Sequence, residues 1–115
     1  MWRRRGDGEI YAYLPENKQR DDLCDDEGNI CNPNYGYSLG RGSWTFKTGK
    51  WTRVRQTLKL NQVGKMNGVL RVDVDGTNVY NEEKLVFINK NTSKIIGIGT
   101  YMLLALFNNS TTRYT

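Results

Sequence analysis

Tyr11 and Tyr13 stand one residue apart in the run Glu9-Ile10-Tyr11-Ala12-Tyr13-Leu14. On an extended chain successive side chains alternate between faces. Ile10, Ala12 and Leu14 then point one way, and Glu9, Tyr11 and Tyr13 the other. Two phenols on one face can give and take protons at a single bound molecule. The chain contains no histidine, which removes the commonest general base and metal ligand. Acid–base chemistry therefore falls to Tyr, Lys or a carboxylate. Same-face tyrosines also pack or line a surface, since strands are rich in Tyr, and spacing alone favours that plainer reading.

Two other groups of residues could carry chemistry. Cys24 and Cys31 lie close together in a polar loop, where a disulfide closes easily if the chain meets an oxidising compartment; otherwise they are a pair of thiols. Two Cys without His do not make a tetrahedral zinc set. Between Glu16 and Asn34 six acids gather: Glu16, Asp21, Asp22, Asp25, Asp26 and Glu27. Their spacing is not that of an EF-hand loop, so a solvated acidic loop is expected rather than a calcium site.

The elements that would position these residues are short strands. At 115 residues there is room for one domain with one modest core. No long amphipathic helix appears. Short alternating runs are separated instead by Gly, Asn and Asp, as in a sandwich or barrel. Strands are expected at Met1–Arg5, at Glu9–Leu14 (ended by Pro15) and in the Gly-punctuated stretch from Tyr35 to Phe46. From Trp51 to Leu60, Val54, Gln56, Leu58 and Leu60 share one face, opposite Arg53, Arg55, Thr57 and Lys59. Val69–Asp75 turns Leu70, Val72 and Val74 inward and ends in Asp75-Gly76, a hairpin signal. Val79-Tyr80, Leu85–Ile88 and Ile95–Phe107 supply the rest. There is no internal repeat and no linker.

The formal net charge is +5, which favours a polyanionic partner. Between Gly28 and Val72 there is no acid, yet eight basic residues occur: Arg41, Lys47, Lys50, Arg53, Arg55, Lys59, Lys65 and Arg71. On a sheet such a block makes either a binding face or a solvated face whose lysines discourage edge pairing. Nucleic acid is the rival partner, but no recognition helix, RNP-like aromatic motif or zinc finger is present. No signal peptide is visible after Met1-Trp2-Arg3-Arg4-Arg5, and Ile95 to Phe107 is too short to span a bilayer. Against a cytoplasmic reading stand the cysteine pair and the acceptor patterns Asn91-Thr92-Ser93, Asn108-Asn109-Ser110 and Asn109-Ser110-Thr111.

Three blocks carry a resemblance. The first is Met1-Trp2-Arg3 followed by Gly8-Glu9-Ile10-Tyr11-Ala12-Tyr13-Leu14-Pro15. The second is Tyr35-Gly36-Tyr37-Ser38-Leu39-Gly40-Arg41-Gly42-Ser43-Trp44-Thr45-Phe46. The third runs from Gly49-Lys50-Trp51-Thr52-Arg53-Val54-Arg55-Gln56-Thr57-Leu58-Lys59-Leu60-Asn61 to Asn67-Gly68-Val69-Leu70-Arg71-Val72. In order and spacing they resemble the alginate-lyase-like family known as polysaccharide lyase family fourteen, and the related glucuronan lyases, up to about Gly97.

The resemblance implies an all-β fold, an antiparallel β-sandwich of the jelly-roll type with a groove for a sugar chain. The chain is expected to form one partial domain over residues 1–115. The resemblance also implies β-elimination on a uronate polymer, in which the charge developing on the carboxylate needs a cation or amide. Tyr11 and Tyr13 match the family's Tyr-x-Tyr pair and would be base and acid, a tyrosine near a cation being able to do both. No metal or organic cofactor is implied. Arg3, Arg41, Lys47 and Gln56 are the candidates for substrate contacts. Arg41 sits between two glycines, where the backbone can approach a ligand or simply bend. Gln56, sharing a face with Val54 and Leu58, also reads as a buried structural amide.

In the family's pattern a Ser and an Arg precede the position of Met1, and a catalytic Lys lies earlier still. The chain is therefore expected to be truncated at its start, weak or inactive alone, and divergent at Phe107-Asn108-Asn109. The partner implied is an acidic polysaccharide, with neither nucleic acid nor membrane, in an extracellular setting. The alternatives are a non-catalytic module for the same polymer and a basic β-domain that binds nucleic acid.

Overall fold

A computed structural model describes residues 3–15, 17–32, 34–89 and 113–114. The described chain is all-β, as expected. Its strands are β1 (Ile10–Ala12), β2 (Ile30–Asn32), β3 (Gly36–Leu39), β4 (Trp51–Thr52), β5 (Val54–Lys59), β6 (Gly68–Val74), β7 (Thr77–Leu85) and β8 (Arg113–Tyr114). They form an antiparallel sheet in the order β1-β3-β2, another in the order β5-β6-β7, and a parallel pair β4-β8.

Both three-stranded sheets turn an apolar row inward. Ile10, Ala12, Tyr37 and Leu39 come from the first, and Val54, Leu58, Leu70, Val72 and Val74 from the second. Leu14, Leu23, Trp44, Phe46 and Leu85 complete the core. β5 alternates half-buried and exposed residues along its whole length, the period-2 pattern of a strand with one wet face. β6 and β7 are joined at Asp75-Gly76, where both residues have positive φ, 49° and 82°. That is the backbone a tight primed hairpin turn requires.

Several expectations need correction. Leu85–Ile88 is not a strand of its own, since β7 ends at Leu85, and Trp51–Leu60 is divided at Arg53 between β4 and β5. Met1–Arg5 does not continue as a strand over its described residues: Arg4–Gly6 is a single 3-10 turn with Arg5 at φ 62°. Leu60 is exposed rather than inward, because β5 ends at Lys59. The acidic loop is more than a solvated excursion. It contains β2, and Leu23 within it is fully buried. The expected strand over Ile95–Phe107 and the acceptor asparagines Asn91, Asn108 and Asn109 lie outside the described residues.

The acidic loop is fastened to both sheets. Gln19 pairs with the backbone of Val86 in both directions, 2.7 and 3.0 Å. Arg20 bonds Glu82 on β7 at 2.7 Å, Asp22 at 2.8 Å, and Asp26. The Glu82 contact, then that to Asp22, holds the Arg20 guanidinium more firmly protonated than usual. Asn29 donates to the Leu23 carbonyl and accepts from the Gly40 N–H and the Tyr80 hydroxyl. Cys24 and Cys31 are joined by a disulfide, Cα to Cα 5.7 Å.

Candidate functional site

β1 presents its outward row on the face opposite the core. Ile10 and Ala12 pack inward, so Tyr11 points out, and Tyr13, just past the strand, is 69% exposed. The two rings meet edge to face, centroids 5.6 Å apart, a favoured aromatic geometry. Gly36 makes this possible. A Cβ there would lie 3.1 Å from the Tyr11 ring and 3.3 Å from that of Tyr13, so any side chain would push the pair apart.

Across the sheet, Tyr11 lies opposite Ser38 on β3, and Ser38 opposite Ile30 on β2. Directly opposed residues share a face, so Tyr11, Ser38 and Ile30 form one row of it. Glu9, two residues before Tyr11, belongs to the same side and is only 2% exposed. Its carboxylate accepts from Arg3 Nε at 2.7 Å, from Arg41 Nε at 3.2 Å, and from the Ser38 hydroxyl. Arg41 Nε also reaches Ser38 Oγ at 3.1 Å. The Arg3 guanidinium lies 5.7 Å over the Tyr11 ring, a cation–π contact.

The turns that carry the arginines are fixed by backbone bonds. Arg3 N–H donates to the Asp7 carbonyl at 2.6 Å. The Arg41 N–H donates to Gly28 at 2.8 Å, and the Gly42 N–H to Gly8 at 3.0 Å. Gly40, at φ 64°, turns the chain there, and its Cα faces the Tyr80 ring. Burial pushes the Tyr80 hydroxyl up to about 12 against a partial offset from its bond to Asn29.

The structure thus brings Tyr11, Tyr13, Arg3 and Arg41 together on one face. Lys47 is exposed and follows Phe46, whose N–H donates to Gly6 at 2.7 Å; this places it beside the Arg4–Gly6 turn. Gln56 stands in the other sheet, half-buried in the inward row of β5 between Val54 and Leu58. Cys24 and Cys31 hold the loop before β3. Glu9 and Ser38 were not among the residues singled out from the sequence. The alternation of Glu9–Leu14 already put Glu9 on the tyrosine face, but its burial depends on arginines distant in sequence. Among the described residues no cluster of His, Cys, Asp or Glu could hold a metal ion.

A row of phenols flanked by two guanidiniums can bind an acidic sugar and move a proton beside it. The chain is similar to the marine PL-14 alginate lyase from Aplysia kurodai, whose crystal structure superposes with a TM-score of 0.66 at 37% identity, covering 78% of this chain and 36% of that one. The chain thus spans about a third of the length of that enzyme. Among curated proteins there is no match. The family profile described as polysaccharide lyase 14 matches residues 1–114, and the chain belongs to that family.

Proposed function

We propose that this chain is part of a jelly-roll lyase domain that cleaves a uronate-containing polysaccharide by β-elimination, with alginate and glucuronan as the polymer classes. The observation that carries this reading is the Tyr11–Tyr13 pair, side by side on an outward face with Arg3 against it, in a chain of the polysaccharide lyase 14 family. One phenol, as phenolate, removes the proton from C5 of the uronate. The electron pair left on C5 forms the C4–C5 double bond, and the C4–O bond breaks. The other phenol gives its proton to the departing glycosidic oxygen. No water is consumed and no cofactor is called for. A guanidinium on the substrate carboxylate offsets the charge that grows there. The disulfide and the family resemblance support an extracellular setting.

The test is a lyase assay on alginate and on glucuronan, following the ultraviolet absorbance of the unsaturated product. Tyr11→Phe and Tyr13→Phe are each expected to lower turnover at least about 100-fold while the fold is kept. Full activity in either variant removes that tyrosine from the chemistry.

A second reading keeps the face without the reaction. Tyr13 and Ile30 on it are exposed, 69% and 47%, and rings beside cations suit stacking and charge contacts with an acidic glycan. Salt-sensitive binding to polyuronates with no unsaturated product is the outcome that supports it.

A further inference from the structure

Glu9 is the most enclosed carboxylate among the described residues, and the reaction proposed above gives it no part. A buried carboxylate is costly unless cations and hydrogen bonds meet it. Here Oε1 takes the Nε–H of Arg3, while Oε2 takes the Nε–H of Arg41 and the Ser38 hydroxyl. Both guanidiniums are therefore gripped by their Nε edge. A guanidinium carries five N–H donors in a rigid planar fork, so fixing Nε sets the plane and the direction of the Nη groups. The arginine side chains remain 44% and 30% exposed, whereas the carboxylate between them is 2% exposed. The anchor is sealed, while the arginine side chains stay partly open to solvent. Two guanidiniums against one carboxylate leave a single net positive charge beside Tyr11.

We propose that Glu9 is a positioning residue that holds Arg3 and Arg41 so that their Nη edges receive one uronate carboxylate next to Tyr11. The ligand part of this proposal rests on the reading that this face binds a polyuronate; the positioning part does not. It also has a sign that simple charge counting does not share. Removing a negative charge should by itself tighten binding of a polyanion. If Glu9 aligns the arginines, its neutral amide analogue weakens that binding instead.

The experiment is calorimetric titration of the chain with a uronate hexasaccharide and with its neutral methyl ester. Glu9→Gln is expected to weaken the acid form about tenfold, the scale of one hydrogen bond to a charged group, and to leave the ester unaffected. Arg3→Lys, at a half-exposed site, is expected to do the same. It keeps the charge and loses the fork. The double variant should be no weaker than the weaker single one, since both lose the same alignment. A folded Glu9→Gln or Arg3→Lys protein that binds the acid form as well as the parent, or tighter, overturns the proposal. If the parent binds no uronate at all, the substrate reading falls, and the Nε–H resonances of Arg3 and Arg41 decide the positioning alone. They should be protected from exchange in the parent and lost in Glu9→Gln; their persistence there overturns it.

Discussion

Asn61 shows how much one side chain can hold. It is 4% exposed. Its oxygen accepts from the N–H groups of Phe87 (2.7 Å) and Ile88 (3.0 Å), and its amide donates to the carbonyls of Ile88, Gln62 and Lys65. It stands in for the strand that would otherwise pair with residues 87–88. Asn61→Ala leaves these groups without partners and is expected to cost about 2–3 kcal/mol, read as a lower urea midpoint with an unchanged slope. Tyr80 gives a pH signature. Its hydroxyl is pushed up to about 12, chiefly by burial, from 10.0. Above pH 10 the unfolded chain has lost a proton that the folded chain keeps. The stability linked to Tyr80 is thus whole below pH 10 and disappears as pH rises through about 12. In Tyr80→Phe the fall of the urea midpoint between those values should be shallower than in the parent. A fall of equal steepness would assign that stretch to other groups.

At the scale of elements, the close contacts lie at glycines. A Cβ on Gly8 would sit 2.0 Å from the Trp44 ring, and Trp44 is a core residue. Gly8→Ala must displace either the indole or the turn that carries Glu9, and about 3 kcal/mol of destabilisation is expected by thermal melting. Gly64→Ala, where the same atom meets nothing within 4 Å, carries only the strain of its positive φ and should cost less. The elements readable from the sequence were those whose pattern is local. The alternation over Val54–Leu58 and over Leu70–Val74 placed the inward rows of β5 and β6, and Asp75-Gly76 placed their hairpin partner. β2 was not readable: three residues, Ile30-Cys31-Asn32, are too few for a period, and they are a strand because β3 pairs with them. The Arg4–Gly6 turn was hidden too, since nothing in a run of arginines announces the positive φ of Arg5. In the site, alternation put Tyr11, Tyr13 and Glu9 on one face. Only the fold could add that Arg3 and Arg41 converge on Glu9, and only the fold separates Gln56 from them by setting it in the other sheet.

Across the whole molecule, the loop between β1 and β3 ties the tyrosine sheet to β7, and two of its fastenings can be ranked. The disulfide closes a short loop, with a sequence separation of 7. The chain entropy it removes from the unfolded state corresponds to about 2.5 kcal/mol. Arg20 acts in the folded state instead. Its side chain is 16% exposed and meets Glu82, 8% exposed, at 2.7 Å. Taking Arg20 away leaves the Glu82 carboxylate enclosed without its cation, and breaking such a pair costs about 3–5 kcal/mol. Asp22 and Asp26 add little to this difference, because both are largely exposed and recover water when Arg20 is gone. Arg20→Gln should therefore destabilise the protein more than Cys24→Ser combined with Cys31→Ser. The two should also differ in kind under urea denaturation. The double serine variant relaxes mainly the unfolded chain and keeps Gln19 on Val86 and Arg20 on β7, so limited proteolysis under native conditions should leave its loop intact. Arg20→Gln should expose the loop to cleavage before global unfolding. If the serine variant is nicked there first, the disulfide, and not the Arg20–Glu82 contact, is what keeps the two sheets tied.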